Sequence, residues 1–176
     1  MIRHLTPADY RSMPWANGRG VTVEMLRIEA EGALLCRLSR ASVVQDGPFS
    51  IFPGIERNLT VISGPGFDLT GAMGTLPARP LVPVAFAGDV AIRAVGVSAP
   101  SEDFNVMTAR SLGLPRVTVV TSGAKFQGSG TLAIFALGCV HVNDLQMALH
   151  DLIVTTADIT VHTGGPVIVV SLNLPG

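Results

Sequence analysis

An all-β fold, a sandwich or barrel, is predicted for this 176-residue chain. Three observations carry the prediction. Turn signals recur about every 8–12 residues, the rhythm of short strands joined by tight connections. The runs between them are rich in Val, Ile, Leu, Phe and Thr, the residues that suit a pleated, half-buried surface. Helix signals are confined to two short segments.

The turns begin with Asn17-Gly18-Arg19-Gly20 and Glu31-Gly32, and continue through Gln45-Asp46-Gly47-Pro48, Ser63-Gly64-Pro65-Gly66 and Gly71 to Gly74. Gly88-Asp89, Ser98 to Ser101, Ser122-Gly123, Gly128-Ser129-Gly130, Gly138 and Gly164-Gly165-Pro166 follow. Strands are expected between them: Val21 to Ile28, Leu34 to Val44, Leu59 to Ile62, Val82 to Ala87, Val90 to Val95, Val117 to Thr121, Leu132 to Leu137, Leu152 to Thr155 and Val167 to Leu174. Gly88-Asp89 sits between two such runs and predicts a tight hairpin turn. Thr6-Pro7-Ala8-Asp9 offers an N-cap, a proline at the first helical position and an acid in the first turn, so a short helix is expected there, ending before Pro14. Asp103 to Leu112 is expected to form a second short helix, capped by Asp103 and stopped by Gly113.

Composition bounds the function. Hydrophobic residues make up 48% of the chain and charged ones 14%, with a mean hydropathy of +0.47. Such a chain can bury a large core and is not disordered. No apolar run reaches the roughly 18–20 residues of a membrane helix; Thr131 to Val142 comes nearest. The segment Met1 to Pro7 lacks the apolar stretch of a secretory signal, so a cytoplasmic protein with no membrane association is expected. The net charge is −1, and eleven arginines and one lysine (Lys125) are scattered along the chain. Nucleic-acid binding wants a basic patch or stripe, and none is evident. Cys36 and Cys139 lie far apart, without a CxxC, and read as buried free thiols.

The chemistry is concentrated between Met13 and Arg110; from Ser111 onward the sequence is plain alternating β. Gly47 to Asn58 is the most informative stretch. Phe49, Phe52 and Ile55 are core-type residues, two glycines and two prolines shape the path around them, and Arg57 lies at its end. This composition fits the lip of a pocket with one fixed charge. An arginine in an apolar, strand-rich context needs a partner. For Arg57 and Arg37 that is either an internal acid, Glu24 or Asp103, or the carboxylate of a ligand, which suits the guanidinium fork. Strand periodicity puts Thr22 and Glu24 on one face and Arg37 and Ser39 on one face of their own strand. Those faces either enter one barrel as a mixed polar site or lie outside in solvent. Trp15 is a core plug or a stacking platform near the mouth. Asn17 either holds its own turn or reaches the ligand. Asn105 is hard to explain by local structure and is the pocket candidate of its segment, whereas Arg110 is expected to pair with Asp103 or Glu102.

No nucleophile arrangement stands out. Gly-x-Ser-x-Gly is absent, neither cysteine has a histidine nearby in sequence, and the glycine-rich turns follow no phosphate-binding pattern. Glu24 is the one candidate general base.

Four motifs together resemble one family. Met13-Pro14-Trp15-Ala16-Asn17-Gly18-Arg19-Gly20-Val21-Thr22-Val23-Glu24 looks like the opening signature of the HutD/Ves family, departing from it at Ala16 and Arg19. Arg37 to Val43 is similar to its second signature, Gly47 to Arg57 to its third, and Asp103 to Arg110 to its fourth. The resemblance spans most of the chain, with order and spacing preserved. It implies a bicupin of the RmlC-like cupin type, all-β with one or two short helices, in which two small β-barrels are fused in residues 1–176. The first barrel is expected over about 13–110 and the second over 111–176, with strand exchange between them allowed. It also implies a bacterial cytoplasmic protein associated with histidine utilisation, for which ligand sensing is one proposed role.

Many cupins hold a metal through two histidines one residue apart, a carboxylate and a distant third histidine. The four histidines here, His4, His141, His150 and His162, form no such pattern. The expectation is therefore a metal-independent protein without a cofactor. Its site is expected to bind a small anionic metabolite through Trp15, Asn17, Thr22, Glu24, Arg37, Ser39, Phe49, Ser50, Arg57 and Asn105. Urocanate, formiminoglutamate or formylglutamate would be sensed or buffered there. The alternatives are an isomerase or hydrolase acting on a small carboxylate in the same pocket, and a regulatory module that docks another protein. A homodimer is the assembly suggested by analogy with cupins.

Overall fold

A computed structural model describes residues 2–15, 20–162 and 164–174. The chain divides into two compact units, one of residues 11–114 and one of residues 1–10 with 115–176.

In the 11–114 unit the described residues form a six-stranded antiparallel sheet. Its order is Arg11–Pro14, Val21–Ala30, Ala33–Val43, Ser101–Ala109, Ile55–Ser63 and Val84–Ala87. A four-stranded sheet holds Gly47–Pro48, Ile92–Val95, Phe67–Gly71 and Gly74–Ala78 in that order. Side chains from both sheets meet in one apolar core. Leu59 and Val61 come from the larger sheet, and Phe67, Leu69, Ile92 and Ala94 from the smaller. Leu59 and Val61, Phe67 and Leu69, and Ile92 and Ala94 enter that core as alternate residues of their strands. Each fully buried Leu or Phe contributes about 1.5–3 kcal/mol.

The second unit is built on a five-stranded antiparallel sheet in the order Ile2–Leu5, Leu152–Thr155, Thr131–Ala136, Val167–Leu172 and Arg116–Val120. A four-stranded sheet of Ala124–Phe126, Ile159–Val161, Val140–Val142 and Leu145–Met147 completes it. Leu132, Ile134, Met147, Ile153, Val161 and Val169 pack into its core. The N-terminal strand belongs here because Ile2 pairs with Thr155 and Leu5 with Leu152. His4 Nε2 meets Asp151 Oδ2 at 2.9 Å beside that register.

All nine expected strands are present, with small differences at their ends. Sequence reading missed others, among them Ile2–Leu5, Phe67–Gly71 and Ile159–Val161. The first helix is a single 3₁₀ turn, Pro7–Asp9. Asp9 Oδ2 accepts from the Thr6 backbone N–H at 2.8 Å and from Thr6 Oγ1 at 2.9 Å.

Three expectations are corrected. Asp103 to Leu112 is not a helix: Ser101–Ala109 is a strand and only Arg110–Leu112 forms a 3₁₀ turn. Pairing on both edges, with Ala33–Val43 and Ile55–Ser63, overrides the local capping signal. Gly113 does end the 3₁₀ turn, at φ 78°. Gly88-Asp89 turns the chain, but its two strands do not pair with each other. Val84–Ala87 joins Ile55–Ser63, while Ile92–Val95 joins Phe67–Gly71 in the other sheet. Cys36 is buried as expected, but Cys139 is exposed beside the Val140–Val142 strand.

Candidate functional site

Cross-strand register gathers the polar residues of the 11–114 unit. Directly opposed residues of an antiparallel pair share a face. One row runs Thr22, Ala41, Asp103, Val61; the next runs Glu24, Ser39, Asn105, Leu59; a third runs Arg37, Met107, Arg57, Phe86. Four strands thus present their chemistry on one face, the face toward the smaller sheet's core residues.

That face lines a cavity of about 490 Å³. Of the residues expected to bind ligand, Trp15, Thr22, Arg37, Ser39, Phe49, Ser50, Arg57 and Asn105 border it. Glu24 does not; it lies behind Arg37, accepting the Arg37 Nε–H at Oε2 over 2.7 Å, with Arg27 Nη1 a further 3.7 Å contact. Asn17 lies outside the described residues. Trp15 is a wall: its Nε1–H donates to Thr22 Oγ1 at 2.8 Å, and its backbone N–H donates to Gly20 O at 2.9 Å. A Cβ on Gly20 would stand 2.8 Å from the Trp15 ring, so the close approach needs glycine.

The lip from Gly47 onward is held by the backbone. Phe49 N–H donates to Ile92 O at 2.9 Å, and Phe52 N–H donates to Gly88 O at 2.7 Å. Gly88 N–H donates to Ile55 O at 2.7 Å; a Cβ at Gly88 would meet the Phe52 and Ile55 carbonyls at 2.8 Å. This anchoring sets Phe49 and Phe52 around Arg57. The guanidinium carbon is 5.3 Å from the Phe49 ring centre, 5.5 Å from Phe52 and 5.0 Å from Phe86. Such a cage stabilises a desolvated cation by cation–π attraction.

Arg57 is 5% exposed. Its Nη2 donates to Asn105 Oδ1 at 2.9 Å, its Nη1 reaches Ser50 O at 3.4 Å, and its buried Nε–H has no partner. Burial pulls its pKa down to about 10, against the pull of Asp103 and with the repulsion of Arg37, and it stays charged at neutral pH. The internal partner of Arg57 is therefore the Asn105 amide, where an acid, Glu24 or Asp103, was expected. Glu24 belongs to Arg37.

Asp103 is the residue that sequence reading assigned to the wrong task. It is a cavity residue, fully buried, not a helix cap. Its Oδ1 accepts from Asn105 Nδ2, and its Oδ2 has no partner. Burial pushes its pKa up to about 7 despite the attraction of Arg57, and Glu102 adds to the rise. Period-two alternation of Asp103, Asn105 and Met107 with Phe104 and Val106 was the available signal. Arg110 is not its partner: the Arg110 guanidinium meets Asp89 at 2.9 and 3.0 Å and also bonds Glu56. Glu102 instead accepts from Arg40 at 2.6 Å.

Among the described residues no three His, Cys, Asp or Glu side chains cluster to hold a metal ion. The described cavity lining offers two arginines, amides, hydroxyls and the Asp46 and Asp103 carboxyls, with no histidine. That donor set does not fit the histidine-rich metal site of many cupins. It places a buried guanidinium, Arg57, beside the amide of Asn105 and the hydroxyl of Ser39, among apolar walls.

The HutD family model matches residues 7–167. The chain belongs to the HutD family. It is 32% identical over 152 residues to an uncharacterised 21.2 kDa protein in the hutC 3′ region of Pseudomonas putida, covering 84% of this chain and 78% of that one. Protein Ves of Citrobacter koseri is 33% identical over 135 residues, 73% of this chain and 71% of Ves. The structure of HutD from Pseudomonas fluorescens SBW25, in a formate condition, superposes over 100% of both chains with a TM-score of 0.90 at 31% identity. The fold is all-β and cupin-like, as expected for this family.

Proposed function

We propose that this HutD-family protein is a metal-independent bicupin that binds a small carboxylate in the cavity of its 11–114 unit. In this reading it senses or buffers an anionic intermediate of histidine breakdown in the cytoplasm, as a homodimer. Arg57 carries the reading. A buried, charged guanidinium with an open Nε–H, caged by three phenylalanines and oriented by Asn105, is costly to keep without an anionic guest. Arg37 is already paired with Glu24, whereas Arg57 has no direct ion pair and is the positive charge open to a guest. The link to histidine utilisation rests on relatives: one is named HutD, and another lies in a hutC region.

The test is a thermal-shift panel of urocanate, histidine, formiminoglutamate, formylglutamate, glutamate and formate against wild type and Arg57→Ala. A ligand at 100 times its dissociation constant adds about 2.7 kcal/mol of stability, which raises the midpoint by roughly 2–4 °C per kcal/mol in a chain of this size. A shift with a carboxylate, absent in Arg57→Ala, supports the reading. No shift with any of them sinks it.

One observation favours the enzyme alternative. Asp103, and not Glu24, has the buried position and raised pKa of an acid–base group. A catalyst would turn over one of these acids and lose that turnover in Asp103→Asn; a binder has none to lose.

A further inference from the structure

The charges around the cavity do not balance for an ionised guest unless a proton is added. Asp103 lies on the central Ser101–Ala109 strand. Arg57 faces it from the Ile55–Ser63 strand, and Arg37 from the Ala33–Val43 strand with Glu24 behind it on Val21–Ala30. On its own strand Glu102 is paired with Arg40. Across the cavity the lip contributes Asp46, whose Oδ1 is taken by the Val97 N–H at 2.8 Å. With Arg37 and Glu102 matched, Arg57 is the single positive charge available inside. It can neutralise an ionised Asp103 or an incoming carboxylate, but not both.

Asn105 fixes which of these it serves. Its Oδ1 accepts from Arg57 Nη2 and its Nδ2 donates to Asp103 Oδ1, so the amide stands between the two charged groups. Arg57 and Asp103 form no direct ion pair. Asp103 Oδ2 is left buried and unpartnered beside the cavity. A carboxylate oxygen there has no donor to satisfy it, whereas a protonated carboxyl is itself a donor and needs only an acceptor.

We propose that Asp103 is a binding-site residue that takes up a proton as an anion enters, its Oδ2–H becoming the donor to a ligand oxygen while Arg57 neutralises the ligand's charge. This rests on the carboxylate reading and deepens it: the guest is a carboxylate with an acceptor oxygen placed for Asp103, bound together with one proton. The pKa of the empty site, pushed up to about 7 by burial, lies where this coupling acts near neutrality. Below that pH the proton is already in place and affinity is flat. Above it, affinity falls about tenfold per pH unit, because each binding event must recruit a proton.

The experiment is titration calorimetry of wild type with formylglutamate and with formate, from about pH 5.5 to about pH 8.5, in buffers of different ionisation enthalpy. The carboxyls of both probes stay ionised throughout this range, well above ordinary carboxylate pKa values of about 4. Proton uptake therefore reports on the protein. The expected result is uptake approaching one proton per ligand at the alkaline end and close to none at the acid end. Asp103→Asn, which mimics the protonated acid, should bind with a pH-independent affinity near the acid-limb value of wild type. Binding without proton uptake in wild type overturns this inference and leaves the carboxylate reading standing. An unchanged slope in Asp103→Asn moves the proton elsewhere and also overturns it. Absence of binding by both probes at every pH overturns this inference, while the carboxylate reading is decided by the six-ligand thermal-shift panel. The wild-type measurement stands alone should the variant fold poorly.

Discussion

Arg57 Nη2 donates to Asn105 Oδ1 at 2.9 Å, with both side chains buried on one face of the central sheet. The contact brings together residues from the third and fourth sequence motifs. It also leaves the guanidinium short of a formal counter-charge, the condition under which a buried arginine recruits an anion.

Arg57→Met separates binding from stability. Methionine keeps a flexible apolar stem among Phe49, Phe52 and Phe86 and removes the cost of burying a cation, while Asn105 loses one donor worth about 1 kcal/mol. Urea unfolding should place the variant within about 1–2 kcal/mol of wild type. Carboxylate binding should be lost. A variant that unfolds and takes binding with it would assign Arg57 to structure.

Asp103 makes stability fall with rising pH. Its folded pKa is raised from 3.8 to about 7, so between those values the folded protein holds a proton that the unfolded chain has released. Its contribution is therefore most favourable below about pH 4, is lost as pH rises to about 7, and is level beyond. The full span corresponds to about 4 kcal/mol at 1.36 kcal/mol per pH unit. Because other carboxylates titrate too, the quantity to measure is wild type minus Asp103→Asn across that window. A flat difference refutes the assignment.

Glu24→Gln tests the pairing with Arg37. Glutamine can still accept from Arg37 Nε, but the half-buried guanidinium loses its counter-charge. We expect a loss of about 1–3 kcal/mol in stability together with tighter carboxylate binding, since a second positive charge then faces the cavity. Weaker binding in Glu24→Gln, seen by calorimetry, contradicts this electrostatic account.

Trp15 is the one tryptophan in the chain, so its fluorescence reports on the cavity wall alone. Ligand entry should change its emission. Gly20→Ala, whose Cβ would press on that ring, should shift the spectrum of the empty protein and weaken binding several-fold. Equal spectra and affinities would show that the wall yields freely.

The two thiols should differ sharply. Burial pushes Cys36 up to about 12, while Cys139 is exposed. A thiol reagent at neutral pH should modify one cysteine in native protein and two after denaturation. Rapid labelling of both would place Cys36 at the surface.

The sequence by itself determined the all-β class, nine of the strands and eight of the residues around the cavity. Those features are local: alternation, turn chemistry and the Gly/Pro-shaped lip act over a few residues and can be read along the chain. It also placed Arg57 and Asn105 in one pocket through motif resemblance. Only the tertiary structure decided that Ser101–Ala109 is a strand between two others, because pairing at both edges outweighs a local cap. It alone brought Phe86 to Arg57, gave Glu24 to Arg37, and sent the strands flanking Gly88 to different sheets. Asp103 shows the physical reason most clearly. Its role comes from desolvation and from neighbours distant in sequence, and neither is a property of the residues beside it in the chain.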